Sequence, residues 1–475
     1  MEIAEGADRA CPPDRDVAPP ARTGPRPSRR DVLGGGLAGV AGLGMAAGSG
    51  ATGLASAAAA VAAPALGGML AQPAPVPSTR GVRFVIVGGG WSGLSLARYL
   101  KAQDEAFEVV LVEPSALFFS CPLSNLWLGE VIDTDLLVHS YTEAARHGGY
   151  LWLQAALADL DRDKRRAYTT AGYLDYDFLV LAPGIDYHYP SLGVEDPAHQ
   201  AWLARDYPAG FRPGSEHLSL KRKLEDFEEG VFLLNVPPGN YRCYSGPYER
   251  ACVIAGWMRR EGIKGKVVLL DPHERPAIKA DGFLHAFETF HKDHLEYVPG
   301  TRIEGVDPAA RKVITEFDEY DFADAAIYPR VRAARLIEAL GLAKTGSRQF
   351  EADIDPLKYN VRGDERVYVT GDARPMPFSK SANTAYTEAQ YVARLLAARA
   401  RGKDDPPWRS PVTSCHSMVS IDPPMSIAIE SRYRHDGRGE NWDFDGVKLI
   451  EEPSTGLGKA NVEWGKGLYR DLFGW

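Results

Sequence analysis

The segment that most limits what this chain can fold into is Val82-Arg83-Phe84-Val85-Ile86-Val87 followed by Gly88-Gly89-Gly90-Trp91-Ser92-Gly93. An apolar β-type run, a G-x-G-x-x-G turn and a helical pattern over Leu94 to Leu100 are the parts of a dinucleotide-binding βαβ unit. Each glycine has its own task there. Gly88 permits the tight turn, Gly90 lets the backbone approach a pyrophosphate, and Gly93 lets helix and strand pack closely, while the helix N-terminus favours the anion. Glycines alone are a weak sign. Here Val109-Val110-Leu111-Val112 supplies the next strand and ends in Glu113, twenty residues after Gly93, where an acid would bond a ribose 2′-hydroxyl.

Two later segments look like the returning strands of a flavoprotein with two dinucleotide-binding domains. Tyr176-Asp177-Phe178-Leu179-Val180-Leu181 ends in Ala182-Pro183-Gly184, and Val367-Tyr368-Val369 ends in Thr370-Gly371-Asp372-Ala373. By itself Thr370-Gly371-Asp372 reads as a strand-end turn. In the flavoprotein arrangement Asp372 would bond ribityl or phosphate oxygens, and a helix beginning near Ala382-Asn383 would aim its positive end at the flavin's pyrimidine edge. The expected fold is α/β: two Rossmann-like domains, glutathione-reductase-like, plus a C-terminal α+β interface domain.

Between those strands lies a second unit of the same type without its fingerprint. Val231 to Val236 and Lys266 to Asp271 are its first two strands, and the turn after the first reads Pro237-Pro238-Gly239-Asn240-Tyr241-Arg242-Cys243. Two prolines and bulky side chains replace the close-approach glycines, so NAD(P) is not expected as a cofactor. No metal site is expected.

The 475 residues carry 54 Lys and Arg against 63 Asp and Glu, and the imbalance is not uniform. Ser28-Arg29-Arg30-Asp31-Val32-Leu33 opens a 48-residue Gly/Ala-rich stretch with no charge before Arg80, the mark of a twin-arginine (Tat) export signal. Residues 81–475 hold 57 acids against 47 bases. That acidic body argues against nucleic-acid binding and suits a basic protein partner. The expected organisation is 1–80 Tat signal and linker, 81–190 and 330–400 the two parts of an FAD-binding domain, 191–329 the NAD-binding-like domain, and 401–475 the interface domain. No transmembrane span is expected in the mature, periplasmic protein.

Of five cysteines, Cys11 falls in the signal and Cys252 sits in a helical run, Tyr248 to Arg259, as a small core residue. Spacing alone pairs none of the others. The chain resembles the flavin subunit of flavocytochrome c sulfide dehydrogenase, a relative of sulfide:quinone oxidoreductase, over nearly the whole mature length. The resemblance runs through Leu111-Val112-Glu113-Pro114 to Cys121-Pro122-Leu123-Ser124-Asn125, Arg242-Cys243, Gly246-Pro247-Tyr248-Glu249-Arg250-Ala251, Ser381-Ala382-Asn383, Ser414-Cys415 and Leu472-Phe473-Gly474.

That resemblance implies FAD bonded through the sulfur of Cys121 to its 8α carbon, and a redox-active disulfide between Cys243 and Cys415. Hydrosulfide would attack the disulfide and leave a persulfide on one cysteine. Arg242 and Arg250 are expected either to lower the Cys243 pKa or to form ordinary ion pairs at a solvated helix start, Glu249 to act as acid or base, and Lys380 to sit either beside reduced flavin or at the surface. Trp91, Ser92, Tyr244-Ser245 and His416 depart from the family pattern. The latter positions fall at the substrate face, which leaves sulfide, a persulfide or another small sulfur species as the substrate.

The implied reaction is sulfide oxidation to zero-valent sulfur, with electrons passed to a c-type cytochrome subunit in a heterodimer. The chain contains no Cys-x-x-Cys-His, so haem is expected only on that partner. Two alternatives stand beside it: a quinone reductase at the membrane surface, with Trp464 to Trp475 as a weak amphipathic anchor, and a non-catalytic flavoprotein activating a partner sulfur enzyme.

Overall fold

In the computed structural model the described residues are 71–78, 81–437 and 441–475. The export signal and Cys11 lie outside the described residues. The first sheet is five-stranded and wholly parallel, in the order Val367–Val369, Phe178–Leu181, Arg83–Val87, Glu108–Val112, Leu151–Leu153. Its central strands are apolar and buried over nearly their whole length, as a parallel sheet covered on both faces requires. Trp91–Gln103 follows the first strand as the crossover helix. Against it lies helix Ala382–Ala400, whose Ala385, Ala389, Ala393 and Ala397 form a buried row of small side chains at four-residue spacing, so the two helices approach closely.

The second sheet has four parallel strands in the order Leu295–Val298, Lys264–Leu270, Glu229–Asn235, Asp324–Ala326. Helix Gly246–Glu261 follows its strand Glu229–Asn235, and helix Ala280–Phe290 follows Lys264–Leu270. The chain enters and leaves this unit through an antiparallel ribbon, Ile185–His188 paired with Arg330–Ala333. The unit is therefore an insertion between strands of the first sheet.

A third layer is antiparallel: Thr413–Ile421, Pro424–His435 and Trp442–Ser454, followed by helix Thr455–Phe473. Strand Thr413–Ile421 packs on helix Gly246–Glu261 and brings Cys415 to the second domain. The terminal helix folds back on the first domain. Its Leu468, Tyr469, Leu472 and Phe473 are buried, the Tyr469 hydroxyl donates to Ser120 Oγ at 2.8 Å, and Asp471 accepts from the hydroxyls of Tyr99 and Tyr386, both at 2.9 Å. Most of the apolar face of the Trp464 to Trp475 segment is thus taken up by internal packing, with Trp475 left exposed. Among the described residues no helix is long and apolar enough to cross a membrane.

Candidate active site

All three layers meet at a cavity of about 660 Å3, within the range of roughly 300–1,000 Å3 typical of ligand pockets. One end is the glycine turn. Gly88 has φ of +102°, and a Cβ there would lie 2.3 Å from the carbonyl oxygen of Ala182; at Gly93 it would lie 1.9 Å from that of Gly88. At Gly90 it would meet nothing within 4 Å, so the glycine leaves its backbone open toward the cavity. Glu113 is held at the mouth of this turn, accepting from the N–H groups of Gly89 at 2.8 Å and Ser115 at 2.9 Å. Among the described residues the buried indole Nε1 of Trp91, another wall residue, finds no hydrogen-bond acceptor.

The middle of the cavity is built from three chain segments. Asp372 follows strand Val367–Val369, and its carboxylate accepts from Arg242 Nε at 2.6 Å. Burial disfavours that carboxylate, but Arg242 and then Lys380 bring it below its ordinary range. Helix Ala382–Ala400 begins at the same wall, capped by Ser381, whose Oγ accepts from the Thr384 N–H. Asn383 donates to the carbonyl of Val412 at 2.8 Å and accepts from Trp464 Nε1 at 3.3 Å, tying the terminal helix to the site. Half-buried Cys121 lines the wall beside Arg242, its thiol 3.4 Å from the carbonyl of Phe211. Burial raises its pKa, with Arg242 opposing.

The far end holds Cys243, Cys415 and Glu249. Cys243 has φ of +56°, a left-handed backbone uncommon for a non-glycine residue, fixed by its N–H donating to the Lys380 carbonyl at 2.9 Å and its own carbonyl accepting from Gly246 N–H at 2.7 Å. Its thiol donates to Cys415, which holds Cys243 well above the ordinary thiol range and Cys415 well below it. The two cysteines, 172 residues apart in sequence, thus meet at this end of the cavity. Glu249, in the first turn of helix Gly246–Glu261, accepts from the Met418 N–H at 2.8 Å and from Asn125 Nδ2 at 3.0 Å. Burial pushes its pKa up to about 7 against the Met418 hydrogen bond, and the Cys415 charge adds to the rise.

A glycine-lined dinucleotide turn opening onto a cysteine pair with a carboxyl group poised near neutrality is the construction of a flavin–thiol oxidoreductase. Residues 82–207 match the family model of pyridine nucleotide-disulphide oxidoreductases, and residues 217–328 match the central region of the sulfide dehydrogenase [flavocytochrome c] flavoprotein chain. The mitochondrial sulfide:quinone oxidoreductase of Mus musculus is 26% identical over 196 residues, 39% of this chain and 40% of that protein. A 43-residue stretch is 51% identical to the sulfide dehydrogenase [flavocytochrome c] flavoprotein chain of Chlorobaculum thiosulfatiphilum, covering 9% of this chain and 90% of that sequence. The chain belongs to the sulfide dehydrogenase and sulfide:quinone oxidoreductase flavoproteins. The solved sulfide:quinone oxidoreductase of Aquifex aeolicus shares its fold, with a TM-score of 0.66 and 13% identity over 82% of this chain and 92% of that one.

Within this flavoprotein Gly88, Gly90, Glu113, Cys121, Cys243, Glu249, Asp372, Ala382, Asn383 and Cys415 all line this cavity, while Gly93 lies behind its wall, packed against the Gly88 carbonyl. The assignments of three cations change. Arg242 spends its guanidinium on Asp372 and on the Phe211 carbonyl at 2.7 Å, facing Cys121 rather than Cys243. Arg250 is buried and bonds Asn125 Oδ1 at 3.0 Å, the Ala209 carbonyl at 2.6 Å and the Gly210 carbonyl at 3.1 Å. It fixes the amide that positions Glu249, and its charge is felt by Cys121 rather than by Cys243 or Cys415. Lys380 is neither at the surface nor on the cavity wall: it is buried, ion-paired to Glu351 at 2.7 Å and bonded to the Asp372 carbonyl at 2.7 Å.

The cation that does reach the pair is Lys279, which sequence reasoning missed. Its Nζ lies 3.5 Å from Cys415 Sγ. The segment Pro276-Ala277-Ile278-Lys279-Ala280 offers no motif, only a lone lysine in an apolar setting. Asn125 was visible within the resembling segment but without a role. In the second nucleotide unit, Tyr241 is fully buried in the turn, and Asp271, at the end of the second strand, already accepts from Tyr248 at 2.7 Å, Tyr297 at 2.8 Å and His273 Nδ1 at 2.7 Å. Cys252 is fully buried, the packing role expected of it.

Proposed function

We propose that this chain is the flavoprotein subunit of a sulfide dehydrogenase, oxidising sulfide or a related small sulfur species and passing the electrons to a c-type cytochrome partner. The observation that carries the reading is the contact between Cys243 and Cys415 at one end of the cavity whose other end is the glycine turn. The residues present fit FAD. The Gly88 to Gly93 turn and its helix N-terminus would hold the pyrophosphate, Glu113 the adenosine ribose, Asp372 and the Ala382–Asn383 turn the flavin end, and Cys121 the covalent bond to the ring. FAD, when bound, would take the electron pair of each turnover and hand it on.

The chain's own residues account for the sulfur step. In the oxidised pair, hydrosulfide attacks one sulfur of the disulfide, a persulfide forms there, and the other sulfur leaves as a thiolate. Glu249, near neutrality in pKa, is placed to move a proton at this end of the cavity. The buried tyrosines of the second unit and the engaged Asp271 support the reading that electrons do not come from a nicotinamide. The cytochrome is favoured as acceptor by the match to a flavocytochrome c flavoprotein chain and by the packed terminal helix. The twin-arginine segment favours a periplasmic reaction.

The test is steady-state reduction of a c-type cytochrome and of a quinone analogue by sulfide with the purified protein, with and without proteins that co-purify from the periplasm. Cytochrome reduction supports the reading, preference for the quinone replaces the acceptor, and no sulfide oxidation with either removes the enzymatic reading in favour of a non-catalytic flavoprotein.

A further inference from the structure

Lys279 is buried, 3% exposed, at the start of helix Ala280–Phe290. Its backbone is left-handed, φ +50°, a cost that a non-glycine residue carries only where the surroundings fix it. Its Nζ reaches Ser417 Oγ at 2.7 Å, the Cys415 carbonyl at 3.3 Å and Cys415 Sγ at 3.5 Å, with the Phe283 ring 5.9 Å away. None of these partners is a carboxylate. An ammonium withdrawn from water needs a matching negative charge, and the ionisable partner it touches is the Cys415 sulfur.

The surroundings of Cys415 are otherwise mostly neutral donors. Cys243 donates to it, Ser245 Oγ is at 3.6 Å and Ser417 Oγ at 3.9 Å. His416 next to it is kept neutral by burial, and Glu249 is the nearby acid. Among the described residues no cation is bonded to Cys243: Arg242 and Arg250 are committed elsewhere, and Lys279 acts on it through its charge while its bonded contact is to Cys415.

We propose that Lys279 is the positioning cation of the cysteine pair: it makes Cys415 the sulfur that leaves as thiolate, so that the incoming sulfur nucleophile bonds to Cys243. The balance is that of one exchange. HS− forms an S–S bond to Cys243 Sγ, the Cys243–Cys415 bond breaks, and its electron pair stays on Cys415 beside the Lys279 ammonium, leaving a Cys243 persulfide. The disulfide is the oxidant, and the electron pair of the broken bond stays on the Cys415 thiolate. The identity of the nucleophile rests on the sulfide reading; the thiolate assignment does not.

The test is alkylation of the reduced full-length protein across neutral pH, read by peptide mass spectrometry. Cys415 is expected to label through a lower pH midpoint than Cys243. Lys279→Met should slow Cys415 labelling near neutrality about tenfold or more by raising that midpoint by about one unit, and Lys279→Arg should restore most of it. If Cys243 titrates first in the wild-type protein, or if Lys279→Met leaves the Cys415 profile in place, the proposal is wrong; the wild-type comparison decides even if the variant does not fold. A second reading, after one equivalent of sulfide under anaerobic conditions, should find the persulfide on the Cys243 peptide. A persulfide on Cys415 overturns the order of attack. Absence of any persulfide alongside the expected labelling profile refutes the sulfide reading and leaves the Lys279 assignment standing.

Discussion

The backbone N–H of Met418 donates to Glu249 Oε1 at 2.8 Å, so the carboxyl group on the second domain's helix is fastened to the strand that carries Cys415 three residues earlier. The acid and the sulfur cannot drift apart without breaking that bond. Asn125 holds the other oxygen at 3.0 Å, and Arg250 holds Asn125. Three separate parts of the chain therefore fix one carboxyl group, and burial there raises its pKa to about 7 although the Met418 and Asn125 hydrogen bonds pull it down.

The raised pKa has a sign for stability. Because the folded protein binds this proton more tightly than the unfolded chain, Glu249 favours folding below its unfolded pKa and that contribution is lost as pH rises through about 7. Between about pH 5 and pH 8 the wild type should lose on the order of 3 kcal/mol relative to Glu249→Gln, which cannot ionise. The variant's lost acceptor lowers its stability equally at both ends. Urea unfolding at the two pH values checks this, and parallel pH dependences would show that the carboxyl is not perturbed.

Cys121 faces the cavity close to Arg242. Acid-precipitated wild type should keep its yellow colour in the pellet, and Cys121→Ser should release the flavin to the supernatant. A yellow wild-type supernatant would remove the covalent link while leaving flavin binding intact.

Arg242 and Asp372 form a largely buried ion pair, with side-chain exposures of 19% and 9%. Truncation to Arg242→Met strands the carboxylate, a loss of about 3–5 kcal/mol for a broken buried pair. The expected result is a lower unfolding midpoint together with reduced FAD per chain, and Arg242→Lys should recover only part because one ammonium cannot serve both Asp372 and the Phe211 carbonyl at the same geometry. Unchanged midpoint and flavin content would show that the pair does not support the site.

Gly93→Ala should purify largely without flavin, because the added Cβ would sit 1.9 Å from the Gly88 carbonyl oxygen and force the turn open. Full flavin content in this variant would mean that the turn is not the pyrophosphate seat.

How far the sequence reveals this site follows from the range of each interaction. The glycine turn and Glu113 sit within one βαβ unit, where spacing and strand context carry the geometry, and the structure keeps them where that pattern puts them. The apolar runs likewise predict both parallel sheets. Local pattern says nothing of which cation meets which sulfur. Arg242 and Arg250 flank Cys243 in the chain yet turn toward Asp372 and Asn125, while Lys279 arrives at Cys415 from 136 residues away through the packing of helix Ala280–Phe290 against strand Thr413–Ile421. Long-range packing also decides the fate of the terminal segment, whose apolar residues read as a free face and are buried against the first domain.

On this reading Cys243 and Cys415 pass electrons from a sulfur donor to a flavin bound in the cavity. Anaerobic titration of the purified protein with sulfide, followed by the flavin's visible absorbance, tests it most directly. Wild type should bleach in proportion to added sulfide, while Cys243→Ser and Cys415→Ser should keep bound flavin and lose the bleaching. Bleaching that persists in both variants, or a wild type that does not bleach, would contradict the account.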